Sequence, residues 1–142
     1  SKLDKDGAYI YAIIGDGESQ EGQIWEAGMF AAQAKLDNLI AFTDYNKMQI
    51  DGNTDDVNSL EPLDKKWESF GWNVVVIDGH DFDQIDDAIA NAKACKGKPT
   101  MIIANTIKGK GVKYIEDKGY GNHSMPMLWE DVEKYIEEIR RA

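Results

Sequence analysis

Short apolar segments alternate along this chain with longer segments in which apolar side chains recur every three or four residues. The apolar segments cover residues 8–14, 38–43, 72–77 and 100–104, and we predict a strand for each. The periodic segments cover residues 24–36, 62–70, 81–95 and 128–141, and we predict a helix for each; the last has Trp129, Val132, Ile136 and Ile139 as its apolar stripe. Strands that are apolar nearly throughout are typical of parallel sheets buried on both faces. The pattern therefore predicts an α/β fold, with three α/β/α layers around a mostly parallel sheet.

Three polar or glycine-rich segments follow predicted strands: Gly15-Asp16-Gly17, Asp44-Tyr45-Asn46 and Lys108-Gly109-Lys110-Gly111. Two connections are long. Residues 46–61 contain the turn signal Asp51-Gly52-Asn53, and residues 108–126 contain four glycines with no clear helix or strand. Because ligands of open parallel sheets bind beyond the carboxyl ends of the strands, we expect all three segments to line one binding edge.

Composition narrows the possible partners. The 142 residues form one predicted domain, and 26 acidic against 16 basic residues give a net charge of −10, which repels nucleic acid and anionic membranes. A compact anion could still bind through a metal ion or a helix N-terminus. The single cysteine, Cys95, excludes a disulfide framework and a cysteine-based zinc site. No apolar run has the length of a membrane span and residues 1–7 do not resemble a signal peptide, so we expect a cytoplasmic protein.

Asp16 and Asn46 form the candidate metal site. Alone, Gly15-Asp16-Gly17 is more often a plain strand-to-helix turn with Asp as a cap, and Asn46 alone is most simply a turn residue. Asn46 lies thirty positions after Asp16, the span of one strand-helix-strand unit, so two neighbouring parallel strands would present them side by side. A carboxylate, an amide oxygen and diphosphate oxygens suit a hard divalent ion.

The sequence around these two residues resembles the thiamine-diphosphate motif, and its wider context resembles transketolase. The segments that carry the resemblance run in order through nearly the whole chain: GDGESQEG (15–22), WEA (25–27), NLI (38–40), DYNKMQIDG (44–52), FGW (70–72), DGHD (78–81) and TIKGKG (106–111). The resemblance implies the thiamine-diphosphate-binding fold. It also implies transfer of a two-carbon ketol unit from a ketose phosphate to an aldose phosphate, in the pentose phosphate pathway.

The resemblance also implies roles for particular residues. Asp16 and Asn46 would ligate Mg²⁺ through their side chains and Met48 through its backbone carbonyl, and Ca²⁺ or Mn²⁺ could replace Mg²⁺. Gly17 would donate its N–H to the diphosphate, and Ile50 would pack near the thiazolium ring, although a core position before a turn explains Ile50 equally well. The full implied cofactor-binding set is Gly15, Asp16, Gly17, Glu18, Asn46, Ile50 and His123.

Two residues have implied catalytic roles. Glu21 resembles the glutamate that meets its counterpart at the dimer interface and links two active sites, and it would also suit the N-terminal turn of a helix. His123, in Asn122-His123-Ser124-Met125-Pro126, resembles a loop histidine near the cofactor phosphate and the substrate, with Ser124 where the family has glycine. His80 is expected to hydrogen-bond a loop, and Lys108 and Lys110 either are solvated or help to hold an anion.

The resemblance covers only part of the enzyme. No segment resembles the pyrimidine-binding domain, and we expect the earlier part of the diphosphate-binding domain to be missing, in a truncated piece or a fragment of a split N-terminal subunit. Such a chain would be inactive alone and would need a pyrimidine-domain (C-terminal) subunit. It would act on sugar phosphates as a homodimer or heterotetramer, with the small residues of the 24–36 helix at the dimer interface.

Other functions stay open at this point. A deoxyxylulose-phosphate synthase or a 2-oxoacid dehydrogenase component would use the same cofactor. A nicotinamide-binding Rossmann domain is disfavoured because Gln20 replaces the third glycine of the fingerprint and Asp44 lies too far along the chain for its acidic residue. An acidic interaction module without a cofactor is disfavoured by the Asp16–Asn46 spacing.

Overall fold

A computed structural model describes residues 1–123 and 126–141 of the chain. The helices and strands confirm the predicted alternation, with ends shifted by a few residues. In chain order they are β1 (Ile10–Gly15), α1 (Gly22–Gln33), β2 (Leu39–Tyr45), β3 (Met48–Gln49), β4 (Gly52–Asn53), α2 (Thr54–Asn58), α3 (Leu63–Ser69), β5 (Asn73–Asp78), α4 (Phe82–Ala94), β6 (Thr100–Asn105), α5 (Lys113–Glu116) and α6 (Val132–Arg141).

The main sheet has four parallel strands in the order β1-β2-β6-β5. Gly15 pairs with Asp44 at the end of β1 and β2, and Tyr45 pairs with Asn105 at the end of β2 and β6. The carboxyl ends of these three neighbouring strands therefore meet at one edge. This arrangement confirms the predicted parallel sheet and brings the three polar segments together.

Helices cover the sheet on both sides, which confirms the three layers. On one side, Trp67 of α3 is 1 % exposed and packs among Trp25, Phe70 and Trp72, with ring centroids 4.9–6.4 Å from its own. On the other side, Ala88 and Ala92 of α4 pack on the opposite face of β2, β5 and β6. The alternating faces of β2 and β6 thus enter two separate cores.

The small residues of α1 fit this packing. A side chain on Gly28 would place its Cβ 2.7 Å from Cζ3 of Trp67, and the indole N–H of Trp72 donates to the Gly28 carbonyl over 2.9 Å. Gly28 and Ala31 are therefore small because an aromatic cluster lies against them. The dimer contact expected for this helix stays a prediction, and Met29 and Phe30 on it are exposed.

Two expectations about burial are wrong. β1 was expected to be buried on both faces, but it is an edge strand and Ile13 is 79 % exposed, because α4 packs mainly across β5. The predicted apolar stripe of the last helix is also not its buried face. Trp129 is 89 % exposed, while Tyr135, between the stripe positions, is buried and stacks on Tyr114 at 5.8 Å.

The two long connections contain regular structure that the sequence pattern did not show. In the first, β3 and β4 form a small antiparallel hairpin, and α2 follows it. Its turn lies at Ile50 and Asp51, so only the first residue of the predicted Asp51-Gly52-Asn53 signal is in the turn, and Gly52 and Asn53 form β4. In the second, for which no element was predicted, α5 and a 3-10 turn at Gly119–Asn122 are present. The hairpin and the end of the second connection contribute residues to the cleft at the carboxyl edge of the sheet.

Candidate functional site

A cleft of about 560 Å³ opens at the carboxyl ends of β1, β2 and β6. The residues that line it come from the strand ends, the hairpin and the loop after β6. They are Gly15, Asp16, Gly17, Glu18, Glu21, Asp44, Asn46, Met48, Gln49, Ile50, Asp51, Lys108 and His123. Every residue to which the resemblance gave a metal, cofactor or catalytic role is among them, and so is Lys108, whereas the exposed Lys110 is not. The predicted convergence of the three loops is confirmed.

Asp16 is a buried carboxylate at the end of β1. It is 2 % exposed, and its two oxygens accept the backbone N–H groups of Gly17 at 2.7 Å and of Lys47 at 2.5 Å. Burial raises the pKa of the Asp16 carboxyl above its ordinary value; the N–H bonds oppose this rise and the nearby Asp44 carboxylate adds to it. An anion that is costly to bury in this way gains from a bound cation.

Asn46 lies on the turn that Asp16 holds. Its side-chain oxygen accepts the N–H of Met48 at 3.0 Å, one residue after the N–H that Asp16 accepts. Lys47, between Asn46 and Met48, has a φ of 63°. This left-handed conformation turns the chain back into the hairpin. Asp16 and Asn46 therefore bind consecutive peptide groups of one turn, which confirms that they lie side by side.

The donor set of this turn fits a hard divalent cation. Asp16 offers a carboxylate, Asn46 an amide oxygen and Met48 a backbone carbonyl, all oxygen ligands of the kind that Mg²⁺ and Ca²⁺ take. Among residues 1–123 and 126–141, no three His, Cys, Asp or Glu side chains gather into a metal-binding group. A candidate ion would therefore depend on this mixed set, with further oxygens from a ligand or water.

Gly17 is required by close packing rather than by its backbone conformation. Its φ is −59°, which any residue adopts. A side chain there would place its Cβ 2.9 Å from Cβ of Gln49 on the hairpin. The absence of a side chain at Gly17 therefore lets the hairpin approach the loop after β1, and this approach forms one wall of the cleft.

The acidic residues of the first loop have different surroundings. The Glu18 carboxylate accepts the N–H of Gly15 at 3.1 Å, so it caps the end of β1. Glu21 is the exposed N-cap residue of α1 and makes no side-chain capping bond. Glu21 thus lies at the N-terminal end of the helix, as expected, while its expected link to a second active site stays a prediction.

Ile50 and His123 line the cleft from the hairpin tip and from the second long connection. Ile50 is 70 % exposed, so the alternative that it fills the core is wrong. His123 follows the 3-10 turn and its N–H donates to the Tyr120 carbonyl at 3.1 Å. Ser124 and Met125, which belong to the motif that singled out His123, lie outside the described residues.

Gln20 fastens the hairpin, a role that the sequence pattern did not reveal. Its side-chain amide donates to the Gln49 side chain at 2.7 Å and to the Asn58 carbonyl at 2.8 Å, which joins the first loop to the hairpin and to α2. In the sequence, Gln20 stands out only as a missing glycine. No local signal could have found this role, because its partners lie 29 and 38 positions away.

Comparison with known proteins identifies the family to which this chain is similar. The family model described as "Transketolase, thiamine diphosphate binding domain" matches residues 3–139. The chain belongs to the transketolase family. This membership confirms the resemblance found in the sequence, together with the fold and the thiamine-diphosphate-binding class of the domain.

Relatives with curated names include two transketolase subunits. The chain is 56 % identical, over 132 residues, to the 6-deoxy-6-sulfo-D-fructose transketolase subunit SqwG of Clostridium sp. (strain MSTE9), covering 93 % of this chain and 48 % of the relative. It is 44 % identical to one of the apulose-4-phosphate transketolase subunits of Actinobacillus succinogenes, covering 92 % and 47 %. The chain thus spans about half the length of these curated relatives.

Solved transketolase structures share the fold of this domain. The enzyme from Campylobacter jejuni matches with a TM-score of 0.84 at 33 % identity, covering 94 % of this chain and 21 % of that enzyme. The enzyme from Leishmania mexicana matches with a TM-score of 0.85 at 31 % identity, covering 93 % and 20 %. None of the helices in the described part of this transketolase domain is long and apolar enough to cross a membrane.

Proposed function

We propose that this domain anchors thiamine diphosphate through Mg²⁺ in the cleft, as one part of a transketolase that transfers a two-carbon ketol unit between sugar phosphates. The observation that carries the proposal is the shared turn, in which the buried Asp16 and Asn46 bind consecutive peptide groups beside an open cleft. Names of the relatives support a sugar as substrate, because they refer to 6-deoxy-6-sulfo-D-fructose and apulose-4-phosphate.

The metal would be held by oxygen ligands. Asp16, Asn46 and the Met48 carbonyl would ligate Mg²⁺, with Ca²⁺ or Mn²⁺ as substitutes of similar preference. The two backbone N–H bonds to Asp16 leave each carboxylate oxygen with a further lone pair for the cation. Metal binding would in turn compensate a carboxylate that is costly to keep ionised because it is buried.

The anionic end of the cofactor would meet the first loop and the loop after β6. Gly17 would offer its N–H to the diphosphate, with Gly15 and Glu18 beside it. Lys108 is the one lysine or arginine among the described residues that line the cleft, so it is the side chain that can add positive charge there. That charge matters in a chain whose net charge is −10.

Thiamine diphosphate supplies the nucleophilic carbon that such enzymes use to break and form carbon–carbon bonds. The residues of this chain bind and orient. Ile50, exposed at the hairpin tip, would give an apolar contact to the ring system, and His123 would hydrogen-bond phosphate or substrate. Glu21 would lie at the junction of two active sites in the assembled enzyme.

Assembly would require a second polypeptide. The two relatives named above are subunits, and this chain spans about half of each. We therefore propose that the partner is a pyrimidine-domain subunit, in a homodimeric or heterotetrameric enzyme, and that the chain is inactive in its absence.

Calorimetry with thiamine diphosphate tests the anchor. Binding in the presence of the partner subunit should require Mg²⁺, NAD⁺ should not bind, and Asp16→Ala should abolish the metal-dependent binding. Asp87→Ala is the matched control, because it removes the same charge from an exposed position on α4. Unchanged affinity in Asp16→Ala would refute the assignment of Asp16, and binding of NAD⁺ would favour a nicotinamide site.

A further inference from the structure

The turn between β5 and α4 lies directly against the start of the loop after β6. The N–H of Gly79 donates to the Asn105 carbonyl at 2.8 Å, and a Cβ at Gly79 would lie 2.5 Å from Cγ2 of Thr106. Only glycine allows the two backbones to come this close. His80 follows Gly79 and therefore starts from a fixed position beside the loop.

His80 is held by the cap of α4. The Asp78 side chain accepts the His80 N–H at 2.9 Å, and the Gln84 side chain accepts the Asp78 N–H at 3.0 Å while donating to the N-cap residue Asp81 at 2.8 Å. This set of bonds ties the turn to the first turn of α4. The side chain of His80 is thus directed by a rigid helix end rather than by a free loop.

The imidazole of His80 bonds the loop after β6. Its Nε2 accepts the N–H of Ile107 at 2.8 Å, which confirms the expectation that His80 hydrogen-bonds a loop. A ring nitrogen that accepts an N–H carries no proton itself, so the ring in this contact is neutral with its hydrogen on Nδ1. Nothing in the proposed function uses this residue.

Ile107, whose N–H is bonded by His80, begins the turn that contains Lys108. The Ile107 carbonyl accepts the N–H of Lys110 at 3.1 Å, so residues 107–110 form one turn. Thr106, just before it, donates through its N–H to the Tyr45 carbonyl at 3.2 Å and through its hydroxyl to the Asp44 carboxylate. Contacts from β2 thus hold the start of the loop after β6 at Thr106. His80 holds the same loop at Ile107, next to Lys108.

We propose that His80 is a positioning residue that, by accepting the Ile107 N–H, aims Lys108 into the cleft at the anionic part of the cofactor. His80 does not line the cleft, so it acts through the loop. The identity of the anion rests on the proposed function, whereas the hold of His80 on the loop does not.

Three variants of His80 test whether its acceptor atom holds the Ile107 N–H. In His80→Gln the side-chain oxygen reaches about as far from the backbone as Nε2, in His80→Asn the oxygen is too short, and in His80→Phe the ring remains without an acceptor. His80 is exposed, so none of the three disturbs a core. Amide hydrogen exchange of the full chain should show Ile107 protected in wild type and His80→Gln, and exchanging about tenfold faster or more in the other two. Equal protection in all four proteins would overturn the proposal.

A double-mutant cycle then tests whether His80 acts through Lys108. Affinity for thiamine diphosphate with Mg²⁺ is measured in the complex with the partner subunit. We expect His80→Phe to weaken binding about five- to tenfold, and less than about twofold when Lys108→Ala is already present. His80→Gln should restore most of the affinity. Losses that simply multiply in the double variant would mean a general structural role and would refute the positioning role.

The two proposals can fail separately. Absence of metal-dependent cofactor binding in the wild-type complex would refute the proposed function, and with it the diphosphate as the anion that Lys108 meets. The exchange rate of the Ile107 amide, measured without any ligand, would still decide whether His80 holds the loop. A nitrogen-15 spectrum that places the hydrogen of the His80 ring on Nε2 would contradict the contact itself.

Discussion

Replacing Gly17 by alanine should separate the two walls of the cleft. The backbone at Gly17 already has a φ of −59°, so alanine adds no conformational strain. The whole effect comes from the new Cβ, which would lie 2.9 Å from Cβ of Gln49. Carbon atoms make their best contact at about 3.5 Å or more, so the hairpin must move away by about 0.6 Å.

The hairpin cannot absorb this movement by turning a side chain. The clashing atom of Gln49 is its Cβ, which is fixed by the backbone, and its Oε1 is held by Gln20 at 2.7 Å. Overpacking of this kind costs about 1–3 kcal/mol. If the whole cost is borne by the cofactor-bound state, the affinity drops about five- to 150-fold. Met48 and Ile50 move with the hairpin, so the metal ligand and the ring contact are both displaced.

Calorimetric titration of thiamine diphosphate at fixed Mg²⁺ measures the loss in the complex with the partner subunit. Gly22→Ala is the matched control, because it makes the same change at the start of α1, where nothing lies within 4 Å of the new Cβ. We expect the control to bind as wild type does. Wild-type affinity in Gly17→Ala would refute the argument that the close approach of the hairpin shapes the site.

Two further predictions concern buried groups. Gly28→Ala should lower the free energy of unfolding in urea by about 1–2 kcal/mol, since overpacking against Trp67 outweighs the roughly 1 kcal/mol that alanine contributes to a helix; a more stable variant would contradict this packing. Because burial raises the pKa of Asp16, protons should displace Mg²⁺ at a higher pH than they would from an exposed aspartate. Metal-dependent binding should thus weaken as the pH is lowered from 7, and an affinity that stays constant down to about pH 4 would show that the pKa is not raised.

Local patterns were sufficient to predict the four strands of the main sheet, the helices that alternate with them and the edge where the site lies. The apolar segments ending before Gly15, Asp44 and Asn105 are strands, and parallel strands always place their carboxyl ends on the same side. The thirty-residue spacing of Asp16 and Asn46 then places them just after the ends of two neighbouring strands. These inferences depend on spacing and periodicity, which are properties of the chain itself.

Other features depend on residues that are distant in sequence. The apolar run of β1 has the pattern of a buried strand, but the strand order places β1 at the edge and leaves Ile13 exposed. Likewise, periodicity in the last helix marks a stripe around Ile136, whereas the position of Tyr114 decides that Tyr135 is the buried residue. Periodicity identifies a face, and only neighbouring elements determine whether that face is covered.

The parallel α/β fold and the pairing of Asp16 with Asn46 could be predicted from the periodicity and spacing of the amino-acid sequence, and the resemblance of its motifs indicated the family. How these residues are held in place emerged only from the folded chain. Gln20 joins the hairpin across 29 positions, and His80 reaches Ile107 across 27. A hydrogen bond between two loops depends on the angle and distance at which the chain brings them together, and no local pattern encodes that geometry.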